Sequence, residues 1–97
     1  MTWNSVERIT FSNISATPAS FTLRGGSYGV TVSSTTFGGG TATLQRQSVD
    51  GTFITCLTAF SASGYASVNL LAGTYQLLIA GGATAVSADI TSIVTTM

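Results

Sequence analysis

Apolar and small polar residues alternate along most of the chain, as in β-strands that bury one face. The clearest example is residues 73–80, where Tyr75, Leu77 and Ile79 lie two residues apart after a glycine turn. Residues 26–32 begin in the same order, with glycine, a small hydroxyl residue and tyrosine. Because successive side chains of a strand point to opposite faces, we expect both stretches to be strands whose tyrosines face the core.

The same alternation predicts short strands along the whole chain, joined by turns rich in glycine and serine. Asp50-Gly51 lies between two strand-like runs and is a strong hairpin signal. No window favours a helix, because glycines and β-branched residues interrupt every 3.6-residue stripe. The predicted strands are residues 6–12, 20–24, 27–33, 41–48, 52–60, 65–70, 74–80 and 85–94.

The predicted fifth strand differs from the others because both of its faces are apolar. Phe53 and Leu57 alternate with Ile54 and Phe60. We therefore expect burial on both sides, with one face on the core and the other against a neighbouring subunit or a covering loop. The single cysteine of the chain, Cys56, lies in this strand and is predicted to be a small buried thiol.

Eight strands with turn signals about every 8–12 residues indicate an all-β protein. We predict a single-domain antiparallel β-sandwich over residues 1–97, with residues 1–5 as an N-terminal arm that carries Trp3. The strand number favours a jelly-roll-like sandwich. An immunoglobulin-like sandwich and a small barrel are the alternatives.

Charge is scarce in this sequence. Charged residues make up 6% of the chain, against roughly 25% in ordinary soluble domains. Three arginines balance three acidic residues, there is no lysine, and the formal net charge is zero. Near-neutral proteins tend to associate, and 44% of these residues are hydrophobic. We therefore expect a protein that functions packed against other protein chains.

The sequence lacks the residue combinations that most enzyme sites require. The chain has no histidine, so it cannot assemble a Ser/His/Asp or a Cys/His nucleophile system. Its three carboxylates lie in separate segments, and one cysteine cannot build a zinc site. The cluster Gly38-Gly39-Gly40 has no following lysine, so it does not predict a phosphate loop. We predict no enzymatic activity, no metal and no cofactor.

Two other classes of partner are disfavoured. Three scattered arginines do not form the basic stripe that nucleic acid requires. A membrane partner would need an amphipathic helix, a polybasic segment or an apolar run of about 20 residues, and the sequence contains none. Residues 1–8 lack the basic start and apolar run of a signal peptide, so we expect synthesis in the cytoplasm.

Aromatic residues keep a carbohydrate-binding alternative open. β-Sandwiches often present tryptophan or tyrosine platforms to sugars, and Trp3, Tyr28, Tyr65 and Tyr75 are available. Tyr28 and Tyr75 are in phase with core positions, so packing is the favoured interpretation for these two.

The order of several turns and strand starts along the chain resembles that of a known group of proteins. They are Gly25-Gly26, Tyr28, Gly38-Gly39-Gly40, Leu44-Gln45, Asp50-Gly51 and Gly73-Thr74-Tyr75. Together they resemble small phage virion proteins of the decoration, or cement, type, which have β-sandwich or jelly-roll folds. The resemblance covers residues 20–93. Leu71 stands where a proline is expected before Ala72-Gly73.

The resemblance implies a role on a capsid. The protein would bind the capsid exterior of a bacteriophage virion, bridge subunits of the major capsid protein, and act as a homo-oligomer, a dimer or trimer. As candidate protein contacts we select Trp3 with its arm, Arg8, and Phe37 in the glycine loop. For Trp3 the alternative is a plug over one end of the sandwich. The alternative function is a carbohydrate- or receptor-binding module of a phage tail or cell-surface protein.

Overall fold

A computed structural model describes residues 7–93, which form two four-stranded antiparallel sheets. Regular alternation of apolar residues, with glycine or polar residues at the turns, accounts for most of the strand positions. The strands are β1 (Arg8–Ile14), β2 (Phe21–Leu23), β3 (Gly26–Ser33), β4 (Thr41–Gln47), β5 (Phe53–Thr55), β6 (Gly64–Leu70), β7 (Gly73–Ala80) and β8 (Val86–Ser92).

The strand order identifies the topology. We call the sheet with the order β1-β8-β3-β6 sheet A, and the sheet with the order β2-β7-β4-β5 sheet B. The first strand pairs with the last, the second with the seventh, the third with the sixth, and the fourth with the fifth. This arrangement is an eight-stranded hairpin rolled into a jelly roll. The predicted β-sandwich is confirmed, and the order differs from that of an immunoglobulin-like sandwich.

The core lies between the two sheets. Sheet A contributes Tyr28 and Val30, and sheet B contributes Tyr75 and Leu77. All four side chains are buried, so the predicted inward stripes of β3 and β7 are confirmed. Tyr75 also donates its hydroxyl hydrogen to the carbonyl of Leu71 at 2.6 Å, which satisfies its polar end.

The turn at Asp50-Gly51 joins β4 to β5, as predicted. The Ser48 amide donates to the Thr52 carbonyl at 2.7 Å, and the Asp50 carboxylate accepts from the Thr52 amide at 2.9 Å. Gly51 has a φ of 91°, a value that side-chain-bearing residues rarely adopt. Local turn chemistry therefore accounts for the chain reversal between β4 and β5.

The prediction of one long fifth strand over residues 52–60 is wrong. Regular pairing ends after Thr55, and the next bridge to β4 joins Phe60 to Ala42. Continuous pairing from Gln45–Thr55 would place residue 58 opposite Ala42, so the segment carries two extra residues and bulges out. Ile54, paired opposite Arg46 in the regular part of β5, is 55% exposed, so the predicted burial of both faces is also wrong at this residue.

Cys56 lies at the start of this bulge. Its thiol is half-buried and donates to the carbonyl of Leu44 at 3.4 Å. Burial raises the pKa of the thiol, which keeps it protonated near neutral pH. The thiol is thus free, as predicted, but only partly buried.

The other strand boundaries agree with the predictions within about two residues. The predicted arm, residues 1–5, lies outside the described residues, as do the outer ends of the first and last predicted strands. Between residues 7 and 93, no helix has the length and apolarity needed to cross a bilayer.

Candidate protein-contact surfaces

Of the three predicted contact residues, the structure describes Arg8 and Phe37. Trp3 lies outside the described residues. Arg8 lies on β1, where its side chain is 62% exposed, and its Nη2 atom is 2.6 Å from the Asp89 carboxylate on β8. Its Nε–H also donates to that carboxylate at 2.8 Å. Arg8 is therefore accessible, but its charge is already paired.

Phe37 is a core residue rather than a surface contact. Its side chain is 8% exposed and belongs to the buried cluster between the sheets. Gly38 and Gly39 have φ values of 57° and 82°, which turn the chain back so that the Gly40 amide donates to the Phe37 carbonyl at 2.7 Å. With the chain turned in this way, the Phe37 ring lies inside the fold. The ring therefore lacks the exposure that a partner contact needs.

Glu7 is held inside a small polar cluster at the start of β1. Its carboxylate accepts hydrogen bonds from the Tyr28 hydroxyl and, at 2.9 Å, from the Arg24 amide. The Arg24 guanidinium lies 3.6 Å away. The Tyr28 hydrogen bond is the main cause of the lowered pKa of Glu7, while burial and then the same bond raise the pKa of Tyr28. The cluster ties the start of β1 to the β2–β3 turn.

Arg46 points inward, on the same face of β4 as Ala42 and Leu44, as the alternation predicts. Its Nη2–H donates to the Ala72 carbonyl at 2.8 Å, and its guanidinium lies against Gly73. A Cβ at position 73 would come within 2.9 Å of the guanidinium, so glycine leaves room for it. Its Nε is buried with no hydrogen-bond partner among the described residues.

The outer face of sheet B is consequently uncharged. Gln76 donates from its side-chain amide to Gln45 at 2.7 Å, and Gln45 donates to the Thr55 hydroxyl at 3.3 Å. These bonds form a polar chain across β7, β4 and β5. By strand register, the outward residues of this face are Thr22, Thr41, Thr43, Gln45, Gln47, Phe53, Thr55, Thr74, Gln76, Leu78 and Ala80.

The outer face of sheet A is richer in hydroxyl groups and carries the Arg8–Asp89 pair. Tyr65 lies on this face and is 65% exposed. Its ring covers Gly29 on the neighbouring strand, where an added Cβ would come within 3.0 Å of the ring. A shallow depression of about 210 Å³ in sheet A is lined by Ser27, Ser67, Val68, Asn69 and Ile93.

The described residues, 7–93, contain no group of three or more His, Cys, Asp or Glu side chains that could hold a metal ion. Leu71 and Val49, at turn tips, are exposed apolar residues that sequence reasoning did not select. The alternation around Tyr65 gives a signal for its outward position, since its neighbour Ala66 is in phase with Val68 and Leu70.

Comparisons of the chain with protein-family models, with curated proteins and with solved structures found no match.

Proposed function

We propose that this chain is a non-enzymatic structural protein of a phage virion, a decoration protein that binds the outer capsid surface. In this role it bridges neighbouring subunits of the major capsid protein. The observation that carries the proposal is the uncharged outer face of sheet B. The sequence resemblance to cement proteins supports it independently.

An uncharged face suits permanent contact with another protein. Burying an unpaired charge costs far more than burying a hydroxyl or amide that keeps a hydrogen bond. The hydrogen bonds from Gln76 to Gln45 and from Gln45 to Thr55 already satisfy some of the polar groups on the outer face of sheet B. Leu78, half-buried in the free chain, adds apolar surface to the same face. Covering this face therefore removes little favourable hydration.

Bridging would stabilise a shell in the following way. A copy that covers the boundary between two capsid subunits buries surface on both of them. Separating the subunits then re-exposes that surface, at about 25 cal/mol for each Å² of apolar area. Because many copies act on one shell, modest contacts sum to a large resistance to expansion.

Co-sedimentation with capsid shells that lack the protein tests this proposal. The wild-type chain is expected to pellet with the shells. Thr22→Lys places a charge on the outer face of sheet B, at an exposed position on β2, and is expected to weaken binding. Thr31→Lys is the matched control, because Thr31 is exposed on the outer face of sheet A.

Two results would contradict the proposal. The first is wild-type protein that stays in the supernatant at every concentration tested. The second is equal binding by all three proteins, which would rule out sheet B as the contact face. Circular dichroism of each variant checks that the sandwich is still folded.

Tyr65 supports a second candidate, a carbohydrate-binding module. Jelly rolls occur in both capsid and lectin domains, so the fold alone does not decide between them. An exposed tyrosine ring can stack on a sugar, and Ser67 and Asn69, on the same face of β6, can hydrogen-bond its hydroxyl groups. Titration with host polysaccharide separates the two functions. A lectin would bind it and lose binding in Tyr65→Ala, whereas a decoration protein would give no signal.

A further inference from the structure

Strand β6 is the most regular edge strand of the fold. Its seven residues, Gly64–Leu70, pair with β3 without a register shift. Within residues 7–93, no strand pairs with its other side. An open strand edge presents backbone donors and acceptors that can bind another strand.

The direction of the free backbone groups follows from one hydrogen bond. The Ile93 amide donates to the Ser27 carbonyl at 2.7 Å, so Ser27 directs its backbone groups toward β8. Because the groups alternate along a strand, Tyr28, Val30 and Val32 bond to β6. On β6, the residues between their partners are Tyr65, Ser67 and Asn69, and these direct N–H and C=O groups to the open edge.

The other three edges carry features that obstruct pairing. On β1, Arg8 is charged and the register shifts between Phe11 and Ile14. On β2, only three residues pair, and the Thr17 hydroxyl accepts the Ile79 amide at 3.0 Å beyond them. On β5, three residues pair before the chain bulges. Strand β6 has no charge, no proline and no bulge.

We propose that a second copy of this chain pairs antiparallel with β6 about a two-fold axis at Ser67. Sheet A would then continue across the axis as one eight-stranded sheet. Ser67 would face its own counterpart and Tyr65 would face Asn69, and each of these pairs would exchange two backbone hydrogen bonds. This dimer does not depend on the capsid proposal.

The sequence of β6 fits a second copy of itself. An uncharged strand meets no like charge on its twin, and the zero net charge of the chain adds no long-range repulsion. In the proposed register the apolar positions pair a larger side chain with a smaller one, with Leu70 opposite Gly64 and Val68 opposite Ala66. Half-buried Val68 and Ala66 would lose their remaining exposure at the joined edge.

Mass measurement of the purified full-length chain by analytical ultracentrifugation is the first test. The expected mass is twice the 9.9 kDa of one chain, falling to one chain on dilution. A monomer at the highest soluble concentration would overturn the proposal. A trimer would do so as well, because two-fold pairing through β6 closes at two copies.

Charge substitutions at Ser67 test the register. In Ser67→Lys two like charges would lie opposite each other, and we expect dimer dissociation to be easier by about tenfold or more. Ser67→Asp should behave in the same way, while an equimolar mixture of the two variants should restore the dimer. Ser12→Lys, at an exposed serine on β1, is the control and should still dimerise. Equal weakening by Ser67→Lys and Ser12→Lys, or no rescue on mixing, would contradict the register.

A cysteine cross-link provides a readout that does not depend on how charge affects folding. Directly opposed residues in a hydrogen-bonded pair have Cα atoms about 5.5 Å apart, within the range for a disulfide. In a Cys56→Ser background, Ser67→Cys should therefore oxidise to a covalent dimer that a reductant dissolves. Ser12→Cys in the same background should remain a single chain. The reverse result, or equal cross-linking of both, would refute pairing at β6.

Discussion

At the scale of single residues, the three arginines of this protein all interact with groups of the same chain. Arg8 pairs with Asp89, Arg24 lies beside Glu7, and Arg46 binds a carbonyl. Salt bridges at exposed positions contribute little to stability. The interaction between Glu7 and Tyr28 differs from them because the tyrosine is buried and has one main acceptor.

This interaction predicts how stability changes with pH. The folded state lowers the pKa of Glu7 below its ordinary 4.5, so its stabilisation is present above pH 4.5 and is lost as pH falls through the folded value. The folded state raises the pKa of Tyr28 above 10.0, so that contribution is present below pH 10.0 and is lost as pH rises further. Urea unfolding across this pH range should show both declines.

Replacing the hydroxyl isolates the contribution of the pair. Tyr28→Phe is expected to lower the free energy of unfolding by about 1 kcal/mol near neutral pH and to flatten the alkaline decline. Tyr65→Phe is the matched control. The Tyr65 side chain is exposed, so removing its hydroxyl group should change stability by less than about 0.5 kcal/mol. Identical stability curves for Tyr28→Phe and the wild type would show that the bond contributes nothing.

At the scale of elements, the β3–β4 loop and the β7–β8 turn meet at Gly40. A Cβ at this position would overlap the carbonyl oxygen of Ala80 and the amide nitrogen of Ala83. Backbone atoms cannot yield as a flexible side chain can. Gly40→Ala should therefore lower the free energy of unfolding by about 3 kcal/mol or more.

Gly39 is the matched control for this prediction. It is adjacent in sequence, but a Cβ there would meet no atom within 4 Å. Its φ of 82° still disfavours alanine, so Gly39→Ala should cost about 1 kcal/mol. Chemical denaturation of both variants measures the difference. If Gly40→Ala were as stable as Gly39→Ala, the close approach of the loop and the turn would be wrong.

The contrast between β7 and β5 shows what the sequence could predict about elements. In β7, Tyr75, Leu77 and Ile79 repeat every second residue, and local alternation is sufficient to place them inside. After β5, the chain carries two residues more than regular pairing allows, which depends on where Phe60 meets Ala42. That meeting is a tertiary contact between distant positions, so alternation within the segment could not reveal it.

The candidate surfaces were harder to predict for the same reason. Phe37 lies in a glycine-rich loop, and its burial in the core depends on how that loop is held, with its neighbour Thr36 bridged to the distant Thr84. The outer face of sheet B exists because β7 lies between β2 and β4, an order that no local pattern specifies. Composition shows that charged residues are scarce. Only the strand order shows that the outer face of sheet B has none.

At the scale of the whole molecule, the jelly roll brings together the two ends of the described chain. Arg8 pairs with Thr91, and Phe21 pairs with Tyr75. Among the paired strands of residues 7–93, only β4 and β5 are joined by a short hairpin turn. Non-local pairing requires long loops to close before their contacts can compensate for the lost chain entropy.

We therefore expect slow folding, with a time constant of about milliseconds to seconds after dilution from urea. Stopped-flow circular dichroism in the far ultraviolet measures this time constant.

The β4–β5 hairpin is local, so we expect it to form before the transition state of folding. Gly51→Ala strains a φ of 91° in this turn and should therefore slow folding. In contrast, Ile90→Val, in the centre of sheet A, should mainly speed unfolding, because β8 pairs with β1 and β3, which are both distant from it in sequence. Complete refolding within microseconds, or an equal slowing of folding in both variants, would contradict a mechanism in which the local hairpin forms before the chain ends meet.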